Sequence, residues 1–112
     1  YNALFTVENG RVRRLCDDRA IKLTELAEEI GEAPYFLVGD GADLCYNTLK
    51  DKCFGLRLAP PELRYATGFG VAAAALPLIR EGRTCTPQEL DAFYLRRPQA
   101  ERERMKRLAE NK

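Results

Sequence analysis

Tyr35-Phe36-Leu37-Val38-Gly39-Asp40-Gly41-Ala42 decides the fold: four apolar residues follow Pro34 and end at an aspartate held between two glycines. An apolar run this short, closed by a glycine turn, predicts a strand buried on both faces. Residues 43–49 place Leu44, Cys45, Thr48 and Leu49 at helical spacing. The predicted unit is therefore strand, tight turn, helix. In open α/β sheets such a turn lies at the carboxyl end of its strand, where ligands sit. Gly39 and Gly41 also have a purely structural reading, as suppliers of left-handed backbone for a sharp turn. No glycine fingerprint or phosphate-gripping lysine follows them.

Upstream of this unit, Leu23, Leu26, Ala27 and Ile30 mark one face of a short helix over 22–30, and Gly31 is placed to end it. Further back, Tyr1, Ala3, Phe5 and Val7 alternate with Asn2, Thr6 and Glu8, with Leu4 breaking the polar face, which predicts a half-buried strand. Asn9-Gly10 is a two-residue hairpin signal, because both positions tolerate positive φ. The return strand over 11–16 carries Val12 and Leu15 among three arginines, so one of its faces is expected to be solvated. A helix between these strands and the central one suggests a crossover that adds the later strand to the same sheet. The predicted class is α/β, with a mixed sheet and flanking helices.

Downstream, residues 53–58 form a candidate strand that stops at Pro60-Pro61, where successive prolines remove backbone donors. Tyr65, Phe69, Ala72, Leu76 and Ile79 then follow a 4-3-4-3 spacing, the longest amphipathic pattern in the chain, with Pro77 expected to kink its last turn. Burying Phe69, Leu76 and Ile79 would contribute roughly 1.5 to 3 kcal/mol each, which outweighs the two glycines at about 1 kcal/mol each and favours helix over loop. The alanine-rich face has two readings, core packing and a helix-on-helix contact with a neighbouring domain. Thr86-Pro87-Gln88-Glu89 fits a helix start, residues 92–98 look extended ahead of Pro98, and 99–112 is a tail of mixed charge that reads as a solvated helix.

With 46% hydrophobic and 31% charged residues over 112 positions, the composition is that of one globular domain. A net charge of +1 gives no global reason for a nucleic acid or an anionic membrane as partner, so any basic patch must be local. Cys16, Cys45, Cys53 and Cys85 form no short metal knuckle, and with no histidine the usual zinc sites and Ser-His or Cys-His nucleophiles lack their partners. Cys16 and Cys45 read as small core fillers. No signal-peptide core opens the chain, and 72–79 is too short and interrupted to span a bilayer. Tyr1, not methionine, opens the chain and falls inside a strand pattern, so the expectation is that either upstream sequence was removed or the chain is a piece of something longer.

The candidates for chemistry are sparse. Asp17 and Asp18 diverge if the link is extended, and Asp40 and Asp43 share a loop without a third carboxylate. Asp40 invites a weak Mg²⁺ or nucleotide-edge role, with satisfaction of the turn or helix N-terminal amides as the plainer reading. Arg96 and Arg97 have the planar fork that grips phosphate, and equally suit the rim of an interface.

Three stretches carry a resemblance: Leu37-Val38-Gly39-Asp40-Gly41-Ala42, then Leu58-Ala59-Pro60-Pro61-Glu62-Leu63-Arg64-Tyr65-Ala66, then Phe93-Tyr94-Leu95-Arg96-Arg97-Pro98-Gln99-Ala100-Glu101-Arg102. In this order and spacing they resemble the carboxyl-terminal half of the TsaB (YeaZ) family, the non-catalytic subunit of the bacterial machinery that makes threonylcarbamoyladenosine next to the anticodon of tRNA. The resemblance covers nearly the whole chain. It implies that 1–98 is the second lobe of an actin-like ATPase (RNase H-like) fold, that 99–112 is a charged tail, and that the first lobe is absent from this chain. Lys22 stands where a serine N-cap would be typical, and Cys45 and Cys53 also depart from the family pattern.

For function, the resemblance implies a scaffold without its own transferase site that stabilises a TsaD-type catalytic subunit, with a TsaE-type ATPase as second partner. ATP would be used by those partners, and no cofactor would be bound by this chain. Gly39, Asp40 and Gly41 would form a vestigial nucleotide loop. Tyr65, Phe69, Ala72, Ala73 and Leu76, with Arg96 and Arg97, would face partners, and pairing with a second copy through the same helix is a further expectation. Location would be cytoplasmic, with tRNA contacted indirectly and no membrane. Two readings from other classes remain: an RNA-binding module using Arg96, Arg97, Arg102 and Arg104, and a peptidase-like enzyme, for which the residues offer least.

Overall fold

The computed structural model describes residues 1–96 and 99–110. It divides into two compact units, one of Tyr1–Ala20 with Asp91–Lys112 and one of Ile21–Leu90. The class is α/β. Five helices accompany two separate two-stranded sheets among the described residues, in place of the single mixed sheet expected from the sequence.

In the first unit, strand β1 (Phe5–Glu8) pairs antiparallel with β2 (Arg11–Arg14), with Val7 opposite Val12 and Phe5 opposite Arg14. The turn forms at Asn9 (φ 52°) and Gly10 (φ 74°), as the Asn-Gly signal predicts. Beyond the strands, Asn2 and Arg19 exchange backbone hydrogen bonds of 3.0 Å, which extends the pairing of the two arms. The hairpin is not half-buried: Val7 and Val12 are about 70% exposed, so its apolar pairs stand uncovered. Arg14 partly shields Phe5, its guanidinium lying 4.6 Å from the ring centroid. This unit also contains helix α5 (Gln99–Glu110), which buries no residue.

The second unit holds the core. Helix α1 (Leu23–Ile30) runs to Gly31, whose φ of 53° ends it. Lysine has no acceptor for an N-cap bond; instead the Lys22 N–H donates to Glu25 Oε2 at 3.2 Å, the reciprocal half of a capping box. Strand β3 (Tyr35–Leu37) is parallel to β4 (Leu56–Leu58), and helix α2 (Ala42–Leu49) makes the crossover between them. Leu26 and Ile30 from α1, Ala42, Cys45 and Leu49 from α2, and Cys53, Leu56 and Ala59 are the buried residues. Each of the larger aliphatic side chains contributes roughly 1.5 to 3 kcal/mol on burial. Gly55 is required where β4 begins, because a Cβ there would collide with the backbone carbonyls of Glu32 and Ala33.

The expectation that β3 is buried on both faces fails. Leu37 and Leu56 turn toward α2, while Phe36 and Val38 are 70% and 64% exposed. The reason is coverage: the second unit packs α2 against β3 and β4, and α1 against α2, which accounts for one face of a two-stranded sheet. The apolar run specifies strand, but only a second layer can bury its other side.

After β4, Pro61 opens a one-turn helix α3 (Pro61–Arg64) that the sequence reading did not anticipate. Helix α4 (Gly68–Arg80) then starts at Thr67, whose Oγ1 accepts from the Gly70 N–H at 3.0 Å, so Tyr65 and Ala66 precede the helix. Its 4-3-4-3 stripe is not core: Phe69 is 85% exposed, and Leu76 and Ile79 are also exposed. At Thr86 the expected reach of Glu89 forms, its Oε2 accepting from the Thr86 N–H at 2.8 Å and from the Thr86 hydroxyl at 3.0 Å, yet only a single turn follows. Among the described residues, no helix is long and apolar enough to cross a membrane.

Candidate functional site

The site lies where the chain leaves the parallel strands at their carboxyl ends. Leaving β3, the backbone turns at Gly39 with φ 97°, a value that suits glycine alone. The Gly39 carbonyl accepts from the Ala42 N–H at 3.1 Å, closing the turn onto the first residue of α2. Gly41 is the N-cap of α2, in ordinary right-handed backbone, and its carbonyl accepts from the Cys45 N–H at 2.9 Å. Of the two glycines, only Gly39 is demanded by backbone geometry.

Arg64 fastens this turn from the far side. Its backbone carbonyl accepts from the Gly39 N–H at 2.6 Å. Its guanidinium donates from Nη1 to both carboxylate oxygens of Asp43, at 3.1 and 3.3 Å, and from Nε and Nη2 to the Ala59 carbonyl, at 3.3 and 3.1 Å. The Tyr65 hydroxyl adds a 3.5 Å contact to Asp43. One residue thus ties the end of β4, the first turn of α2 and the Gly39 turn together. Its planar fork is what makes several bonds of fixed direction possible, and a lysine could not reproduce them.

The electrostatic consequence is a division of labour between two carboxylates. Asp43, in the first turn of α2, is neutralised by Arg64. Asp40 is exposed and, among the described residues, accepts no hydrogen bond, so it does not cap α2 as its plainer reading held. A carboxylate standing at the carboxyl end of a parallel pair can accept from a hydroxyl or an amino group; it repels a phosphate.

The other predicted residues fall elsewhere. Tyr65 sits beside the clamp, Phe69, Ala72, Ala73 and Leu76 are exposed on α4, and Arg96 is exposed in the first unit. Arg97 lies outside the described residues. Among the described residues, no group of three or more histidine, cysteine, aspartate or glutamate residues is gathered that could hold a metal ion. Cys45 is buried beside Cys53, and desolvation, then the neighbouring thiol, raise its pKa. The Arg64–Asp43 tie escaped the sequence reading although Arg64 lies within one quoted motif and Asp43 directly follows another, because a pair 21 residues apart has no local signature.

Compared with family models, with curated proteins and with solved structures, the chain matches none.

Proposed function

We propose that the chain is part of a non-catalytic scaffold subunit of the TsaB type, which stabilises a TsaD-type catalytic partner in making threonylcarbamoyladenosine in tRNA. Its fold would then be the second lobe of an actin-like ATPase architecture. The observation that carries this reading is the tie between two of the three motif stretches. Leu37–Ala42 and Leu58–Ala66, which resemble the family in sequence, meet through the Gly39 and Arg64 backbone and the Arg64–Asp43 pair, at the end of the sheet where such folds place ligands.

Helix α4 supports the same reading. From Gly68 to Ile79 it carries no charge, and its Phe69, Ala72, Leu76 and Ile79 stripe is exposed. A helix apolar on all sides belongs against other protein. In this proposal the stripe meets the first lobe, and Arg96 and Arg97 face a partner. Gly39, Asp40 and Gly41 form the vestigial nucleotide loop, where Asp40 suits a sugar hydroxyl or a base amine. Cytoplasmic location and the TsaE-type ATPase as second partner follow from the same proposal.

Reconstitution tests it. TsaD-type and TsaE-type proteins, tRNA and a threonylcarbamoyl donor are combined with or without the two-lobed protein of which this chain would be the second half. Modification should rise on addition and fall back when that protein carries Phe69→Asp with Leu76→Asp. Equal modification with and without it would overturn the scaffold reading.

A further inference from the structure

The near-neutral chain is electrically divided. The first unit carries eleven Lys and Arg against seven Asp and Glu, and the second carries seven against ten. Within the basic unit, Arg96, Gln99, Arg102, Glu103 and Lys106 line one depression of about 390 Å³. Arg102 and Lys106 stand one turn apart on α5, and Arg96 enters from the segment before it. The one carboxylate in the group, Glu103, accepts from the Gln99 amide at 2.8 Å and keeps its charge, which the three cations outnumber. Lys106 is 3.9 Å from Glu110, and among the described residues Arg96 and Arg102 have no ion-pair partner.

We propose that this depression is a docking surface for the phosphodiester backbone of a nucleic acid. The residues lining it are exposed, and a single exposed ion pair is worth only about 0 to 1 kcal/mol, so an isolated phosphate is held poorly. A polymer engages all three cations together and releases its condensed counterions, a gain that a small anion lacks. Arg102 and Lys106 lie about 6 Å apart along the helix axis, a spacing that a strand bearing one charge per about 3.4 Å can match. The carboxylates of an acidic peptide are sparser and irregular. The amino end of α5 adds its peptide dipoles to the same positive potential. This inference does not depend on the scaffold reading, because it concerns the chain by itself.

The test is fluorescence anisotropy of the 112-residue chain with a labelled single-stranded RNA of about 20 nucleotides, the DNA of the same sequence, and a polyglutamate peptide of matched charge. Engagement of three phosphates gives a log–log salt slope near −2, so affinity should fall roughly 20-fold between about 50 and 200 mM salt. Arg96→Gln with Arg102→Gln and Lys106→Gln should lower affinity at least tenfold and flatten the slope. Lys50→Gln with Lys52→Gln, in the other unit, should change neither. Binding of both nucleic acids supports a backbone surface, and binding of only one supports it while naming the source. No binding at about 50 mM salt, a flat salt slope, equal capture of polyglutamate, or an undiminished triple variant would each overturn it.

Discussion

Arg64 and Asp43, 21 residues apart, are joined by two hydrogen bonds of 3.1 and 3.3 Å from one guanidinium nitrogen to both carboxylate oxygens. The arginine side chain is only 16% exposed and the aspartate 47%. The pair is therefore drier than a surface ion pair and wetter than a core one. Its importance is geometric, since the same arginine holds the Ala59 carbonyl through its side chain and the Gly39 N–H through its backbone.

Removing the guanidinium should loosen the turn. Arg64→Ala is expected to destabilise the second unit by about 1 to 2 kcal/mol, the range of a charged hydrogen bond discounted for partial exposure. Arg64→Lys should recover less than half of that. A double-mutant cycle with Asp43→Asn, followed by urea denaturation, should give a coupling of about 0.5 to 1.5 kcal/mol. A coupling near zero would mean that the two residues only stand near each other.

The glycines should separate by cause. Gly55→Ala is expected to be the worst, by several kcal/mol, because the added methyl meets the backbone carbonyls of Glu32 and Ala33, which cannot swing aside. Gly39→Ala has open space but a φ of 97°, so its cost is strain alone, about 1 to 3 kcal/mol. Gly41→Ala has neither obstacle, and the gain from a stiffer unfolded chain offsets the poorer N-cap, so it should lie within about 0.5 kcal/mol of the parent. Thermal melts of the three variants check the order.

Glu89 should titrate low. Hydrogen bonds from the Thr86 backbone N–H and then from the Thr86 hydroxyl hold its carboxylate below the ordinary glutamate pKa. A group whose folded pKa is depressed contributes stability above its unfolded pKa and loses it as pH falls through the folded one. The Thr86–Leu90 turn should therefore persist at neutral pH and open below the ordinary glutamate range. Carboxyl NMR titration should show the depressed midpoint, and Thr86→Ala should move it up toward an ordinary glutamate.

The thiols should react in order of exposure. Cys85 is exposed, Cys16 half-buried, and Cys45 and Cys53 buried. Burial and then Cys53 raise the Cys45 pKa, so the thiol form predominates at neutral pH. A short pulse of iodoacetamide, read by peptide mass spectrometry, should label Cys85 first and spare Cys45 and Cys53 in the native chain. Because the folded thiol holds its proton longer, stability from this site declines as pH rises past the unfolded cysteine range.

Local signals were readable in the sequence, and coverage was not. Asn9-Gly10 named its turn, the Leu23, Leu26 and Ile30 spacing named α1, and the glycine break after Val38 named the strand-to-helix turn. Each depends on backbone preference or periodicity within a few residues. Phe36 and Val7 belong to patterns that predict burial and stand outside, and Phe69, which reads either as core or as a contact with a neighbouring domain, is exposed, because an apolar residue is buried only when another layer arrives. Leu44 has helical spacing yet is 69% exposed, whereas Ala42, Cys45 and Leu49 form the buried face of α2. Within the site, Gly39 was identifiable from its motif, but the hold of Arg64 on Asp43 depends on where α3 sets the arginine, which no local pattern encodes.

Light scattering on a gel-filtration column is the most direct check of the scaffold proposal. A TsaD-type protein is loaded with the two-lobed protein that would contain this chain as its second half, and separately with the 112-residue chain. The two-lobed protein is expected to co-elute with the partner at the summed mass, and the shorter chain to elute apart, because the resemblance places most of the pairing surface in the first lobe. If the two-lobed protein and its partner elute as two separate species, the scaffold proposal is contradicted.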